Sequence, residues 1–198
     1  VNLKHQTLVL ATHNKGKIKE LSHKLAPFDV AVLSLSDYGI EAPGETGTTF
    51  AENAQLKAHH AALKTKRWAL ADDSGLKVHA LNGRPGVYSA RWAGPNQDYK
   101  KAFDQIYLEL QEAQTTDWLA SFECVLALCS PQGALTLFRG EVQGTLVYPP
   151  RGIQNFGYDP IFQPLGYTKT FGEMSFEEKQ AFATHRQKAL DQFLKACF

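Results

Sequence analysis

Cysteine is scarce in this 198-residue chain, with only Cys124, Cys129 and Cys197, which argues against a small scaffold held together by disulfides. Cys124 and Cys129 lie five apart in a strand-like run, so they point to opposite faces and cannot pair with each other there. No zinc-type spacing is present, and the seven histidines form no HExxH pattern. No apolar stretch approaches the roughly 20 residues that a membrane span needs. Residues 1–7 lack the apolar core of a signal peptide, so no targeting segment is expected there. A reducing cytoplasm is the expected location. Neither sign of charge dominates: 21 basic and 20 acidic residues leave a net charge of +1. That balance is unsuited to coating DNA or an anionic membrane, so neither nucleic acid nor membrane is expected as a partner. Internal repeats and low-complexity tracts are also missing.

What is present is ordinary for a globular chain, with 43% hydrophobic and 21% charged residues. The length suits one well-cored domain, read here as a single bilobed domain over residues 1–198. Leu8-Val9-Leu10-Ala11 reads as a buried strand, followed by a helix to about residue 25 and a second apolar run at 30–35. Residues 36–48 form a loop, and Thr49-Phe50-Ala51-Glu52 is a capping box opening a helix to about residue 66. This alternation of strand and helix predicts an α/β fold with some parallel pairing. A loop at 82–94 and a helix at 97–113 follow. Residues 119–129 and 134–147 then read as a long antiparallel hairpin, turned by Ser130-Pro131-Gln132-Gly133. Ser175-x-x-Glu178 and Thr184-x-x-Gln187 open two closing helices.

Several groups could carry chemistry. Asp72-Asp73-Ser74-Gly75 follows the apolar run 68–71, and two adjacent carboxylates at a strand end call for a nearby cation such as Mg²⁺. The same residues equally suit an acidic turn between two strands. The turn Thr12-His13-Asn14-Lys15-Gly16-Lys17 combines backbone amides, two lysines and a helix N-terminus, which together favour phosphate. It is not a Walker motif, and it also suits a plain polar connection. Glu45 and Lys57 could add a third carboxylate and another cation, although a solvated loop Glu and a helix-surface Lys explain them as well. Phe156-Gly157-Tyr158-Asp159 places an aromatic face beside a carboxylate, suited either to a nucleobase or to plugging a turn. His185-Arg186 begins a helix, where a basic pair opposes the dipole.

In this order the motifs resemble the inosine triphosphate pyrophosphatase family, the Ham1-like or non-standard purine nucleoside triphosphate pyrophosphatases. The resemblance rests on Thr12-x-Asn14-x-x-Lys17, Glu45-Thr46-Gly47-x-Thr49-Phe50-x-Glu52-Asn53-Ala54-x-x-Lys57-Ala58 and Ala71-Asp72-Asp73-Ser74-Gly75-Leu76. It continues through Pro85-Gly86-Val87-Tyr88-Ser89-Ala90-Arg91, Phe156-Gly157-Tyr158-Asp159-Pro160-Ile161-Phe162, Glu177-Glu178-Lys179 and His185-Arg186. It implies an elongated mixed sheet flanked by helices, with two lobes around a central cleft, usually in a homodimer. It implies hydrolysis of ITP, dITP and XTP to the monophosphate and pyrophosphate. By the same resemblance Asp73 is the general base, and Glu45, Asp72 and Asp73 hold Mg²⁺, with Mn²⁺ as an alternative. Residues 12–17, Lys57 and Ser74 would handle phosphates. Phe156 would stack on the base, with Gly157, Tyr158, Asp159, Lys179, His185 and Arg186 completing the nucleotide pocket.

Two features depart from the family pattern. Asn155 precedes Phe156 where Gly is frequent, and the gap from Lys179 to His185 is one residue longer than expected. On a continuous helix that extra residue is a rotation of about 100°, which places the role of Lys179 in question. Two rival readings stay open: a pyrophosphatase for another modified base, and a nucleotide or RNA-binding protein without hydrolysis. The second expects a basic patch to outweigh the acidic cluster.

Overall fold

Strand β1, Thr7–Leu10, carries the apolar run Leu8-Val9-Leu10, and all three residues are fully buried, as in a strand covered on both faces. It pairs in parallel with β2, Ala31–Ser34, and with the start of β3, Trp68–Val78. The computed structural model describes residues 1–153 and 156–198. Helices make the two connections that parallel pairing requires. Helix α1, Lys15–Leu25, is capped by Asn14, whose side chain accepts from the Lys17 amide at 3.1 Å. Helix α2, Phe50–Thr65, opens on the expected capping box, with Thr49 and Glu52 each accepting from the other's backbone amide. Its buried face carries Ala54, Ala58, Ala61 and Ala62, all without exposed area.

The mixed six-stranded sheet has the order β2-β1-β3-β4-β5-β6. Strands β4, Leu119–Cys129, and β5, Leu135–Leu146, are joined by the expected turn, in which Gly133 donates its amide to the Ser130 carbonyl at 2.9 Å. Along β5 every second residue from Phe138 to Leu146 is buried, Phe138, Val142 and Leu146 among them, the alternation of a strand with one covered face. Strand β6, Phe162–Pro164, pairs antiparallel with β5. Among the described residues, no helix is long and apolar enough to cross a membrane.

Two elements differ from expectation. Asp72-Asp73-Ser74-Gly75 does not form a turn; it lies inside the continuous eleven-residue strand β3. Turn propensity is overridden because successive strand residues point to opposite faces, so the two carboxylates separate and each meets its own lysine. Residues 82–94 are not an open loop either. They hold a short helix α3, Ser89–Trp92, preceded by a 3₁₀ turn at Gly86–Tyr88. The buried Ser89 anchors this segment: its hydroxyl accepts from the Leu76 amide and donates to the Gly86 carbonyl. Helix α4, Tyr99–Glu112, follows, and the chain closes with α5, Phe176–Ala181, and α6, His185–Cys197.

The chain divides into two compact units. The first comprises Val1–Asp73, Val125–Arg139 and Ala189–Phe198, and the second Ser74–Cys124 and Gly140–Lys188. The second is cored by an aromatic group in which Phe122 and Phe162 lie 4.4 Å apart and Phe162 and Phe171 5.4 Å apart.

Candidate active site

In the first unit, β3 presents Asp72 and Asp73, α1 presents Lys17, and α2 presents Lys57. Lys17 Nζ lies 2.7 Å from Asp72 Oδ2, and Lys57 Nζ bridges Glu45 Oε1 at 2.8 Å and Asp73 Oδ1 at 3.4 Å. The Lys57, Asp72 and Asp73 side chains are largely covered, whereas about a third of Glu45 is open. Among these five side chains, three carboxylates face two ammonium groups. Asp73 Oδ2 is buried with no well-formed hydrogen bond among the described residues, although the Asn53 amide is near enough to favour its charged form. Burial pushes the Asp73 carboxyl above the usual carboxylate range, against the attraction of Lys57. Burial also works against the Lys57 charge, but Asp73, Glu45 and Asp72 outweigh it, and the ammonium titrates above its ordinary value.

Asn14, Lys15 and Gly16 form the exposed start of α1. Thr12 Oγ1 accepts from the Asn14 amide at 3.1 Å, and His13 Nδ1 lies 3.1 Å from Ser36 Oγ. This loop is held by local bonds, and its helix N-terminus faces solvent, where an anion is favoured.

The acidic side chains bear on whether a divalent cation fits. Among the described residues, no three His, Cys, Asp or Glu side chains form a ready-made cage. Such a cage is not needed for Mg²⁺, which is usually held by one or two carboxylates together with substrate phosphates and water. A buried carboxylate oxygen without a well-formed hydrogen bond, in a group of three carboxylates, suits a hard cation of that kind.

In the second unit, Ser74 is the next residue of β3 after Asp73, and its Oγ accepts from an Arg186 guanidinium nitrogen at 3.0 Å. Asp159 is 5% exposed and pairs with Lys179. Burial raises the Asp159 carboxyl above its usual range, opposed by Lys179 and Arg186. Tyr158 is buried and donates its hydroxyl to the Ser89 carbonyl at 2.8 Å, and Tyr99 meets its ring edge-on at 5.2 Å. The His185 ring stacks on Phe122 at 5.0 Å. Phe156 is 71% exposed, a large aromatic face open to a ligand, and Gly157 next to it holds a positive φ.

The structure therefore brings Lys17, Glu45, Lys57, Asp72 and Asp73 together in one group, and Ser74, Asp159, Lys179 and Arg186 into another. The extra residue before His185 does not rotate Lys179 away. Helix α5 stops at Ala181, Ala183 adopts a left-handed conformation, and α6 begins afresh at His185, so the helical-rotation argument does not apply. Asn155 lies outside the described residues. Sequence reasoning missed Asn53, Tyr99 and Ser89 as parts of these groups. Asn53 could have been noticed, because it falls one turn before Lys57 on the same helix face; Tyr99 left no local signal.

Comparisons with known proteins bear on the family and the fold. The model of the Ham1 family matches residues 8–196. A dITP/XTP pyrophosphatase of Zymomonas mobilis subsp. mobilis is 45% identical over 191 residues, covering 96% of this chain and 91% of the relative. One from Brucella melitensis biotype 1 is 48% identical over 196 residues, covering 96% and 89%. Among solved structures, a HAM1 protein from Coxiella burnetii superposes with a TM-score of 0.91 at 38% identity, covering 96% of this chain and 98% of that one. With the family matched over nearly its whole length, this chain belongs to the Ham1 family.

Proposed function

We propose that this chain hydrolyses non-standard purine nucleoside triphosphates, namely ITP, dITP and XTP, to the monophosphate and pyrophosphate. The observation that carries the reading is Asp73: a buried carboxylate with one oxygen lacking a well-formed hydrogen bond and with its pKa raised by burial, bridged to Glu45 by Lys57. A base of raised pKa is the better proton acceptor. Water adds to the α-phosphorus, its proton passes to Asp73, and the bond to the oxygen bridging the α and β phosphates breaks to release pyrophosphate. Glu45, Asp72 and Asp73 would hold Mg²⁺, or Mn²⁺, which when bound neutralises phosphate charge and polarises the P–O bonds. Lys17, Lys57, Ser74 and the amides and side chains of residues 12–16 bind the phosphate oxygens.

Phe156 stacks on the base, and Gly157, Tyr158, Asp159, Lys179, His185 and Arg186 shape its pocket. Hypoxanthine and xanthine carry a 6-keto acceptor where adenine carries an amino donor, so a donor such as Arg186 rejects adenine. Guanine shares the keto group, so its rejection falls on the 2-amino group. We place this activity in the cytoplasm, in keeping with three buried free thiols, and expect a homodimer acting on free nucleotides.

The test is product release from ITP, XTP, GTP and ATP with Mg²⁺, with and without added inorganic pyrophosphatase. Phosphate appearing from ITP and XTP only with the coupling enzyme supports the reading. Direct phosphate release, or equal rates on GTP and ATP, overturns it.

A further inference from the structure

We propose that Asn53 is a positioning residue that ties the loop bearing Glu45 to the Asp73 carboxylate and so holds the two acidic groups at a fixed spacing. The proposal rests on the roles given above to Glu45 and Asp73.

Asn53 is 1% exposed on α2, among apolar neighbours that include the buried Phe50 and Ala54. A buried amide is costly unless its donors and acceptor are used. Its Oδ1 accepts from the Gly47 amide at 2.8 Å, two residues beyond Glu45. Only the oxygen can accept that N–H, so the amide NH₂ turns the other way. There it approaches the Asp73 carboxylate. Residue 47 must be glycine for this contact: a Cβ there would lie 2.7 Å from both Asn53 Oδ1 and Glu52 Cβ.

Lys57 is one helical turn further along the same face of α2 and bridges the same two partners, at 2.8 Å to Glu45 and 3.4 Å to Asp73. The loop and Asp73 are thus joined twice, once through an ammonium and once through a neutral amide. These two ties differ when a polyanionic substrate arrives. The ammonium is drawn to phosphate oxygens and its carboxylate pairs loosen, whereas the amide feels no comparable pull. Asn53 is therefore the tie that keeps its partners while Lys57 changes its own.

Two variants separate the halves of this role. Asn53→Asp keeps an acceptor for Gly47 but sets an anion against Asp73, and Asn53→Ala removes both functions. The full chain is assayed with ITP and Mg²⁺ for kcat and KM, with hydrogen exchange of the Gly47 amide in the substrate-free protein and a thermal melt alongside. Asn53→Asp should keep Gly47 protected and lower kcat about 10–100-fold, the usual effect of losing a partner that orients a site carboxylate. Its KM should stay within about threefold, because the phosphate and base contacts are untouched. Asn53→Ala should lose kcat similarly and also lose the Gly47 protection. A folded Asn53→Asp with parental kcat overturns the proposal, as does unchanged Gly47 protection in Asn53→Ala. A parent chain inactive on ITP sinks the functional reading itself, and with it the catalytic role of the tie, whatever Gly47 shows.

Discussion

Replacing Asp73 by Asn should abolish most activity yet make the protein more stable at neutral pH. Asn is nearly isosteric, so the packing of β3 is preserved while the charge and the proton acceptor disappear. Loss of a positioned base costs about 10²–10⁴ in rate, or roughly 2.7–5.5 kcal/mol of barrier. The stability change has the opposite sign. Asp73 is only 14% exposed, and burial raises its pKa even with Lys57 at 3.4 Å. A folded-state pKa above the unfolded value means that the folded protein binds more protons. That contribution to stability is fully present below the unfolded pKa of about 3.9 and is lost as pH rises through the folded value. Asn carries no such dependence. The variant and parent should therefore converge towards pH 4, and the variant's advantage should grow with pH to a plateau above the folded pKa.

Each pKa unit of elevation corresponds to about 1.4 kcal/mol, and each kcal/mol moves Tm by about 2–4 °C in a chain of this size. Thermal melts of both proteins in a pH series, with the coupled pyrophosphate assay beside them, read both effects. An Asn variant that is less stable at neutral pH would refute the reasoning, because the Lys57 attraction would then outweigh burial. So would an advantage that does not change with pH.

Arg186→Ala should lose far more activity on ITP than on ATP, since a site that demands one hydrogen bond can discriminate by on the order of 10⁴-fold. Equal losses in the substrate panel would make it a general phosphate or structural residue. Lys57→Met leaves Glu45 and Asp73 without their shared cation. It should cost about 2–3 kcal/mol in urea unfolding, less than breaking a fully buried pair because Glu45 is partly open, and added divalent cation should recover part of it. Unchanged stability would mean that the bridge contributes nothing. Gly152→Ala should cost more than about 3 kcal/mol, because φ is +95° there and a Cβ would overlap the Gly172 carbonyl. A Tm within 2 °C of the parent, about the shift from 1 kcal/mol or less in a chain this size, would show that the backbone moves aside at little cost.

The sequence by itself determined the features whose partners are a few residues away. The Thr49–Glu52 box and the 130–133 turn follow from hydrogen bonds spanning three residues, and both form as expected. The order of the motifs was enough for the family, because such patterns do not depend on knowing where their side chains point. Only the tertiary structure decided that Asp72 and Asp73 lie within one strand, since local turn preference yields when each carboxylate finds its own lysine. Lys17 meets Asp72 across 55 residues and Arg186 meets Ser74 across 112, separations that no periodicity encodes. The direction of the Asp73 shift was likewise invisible in sequence. It is a contest between burial and the Lys57 charge, and both depend on what the folded chain packs around one carboxylate.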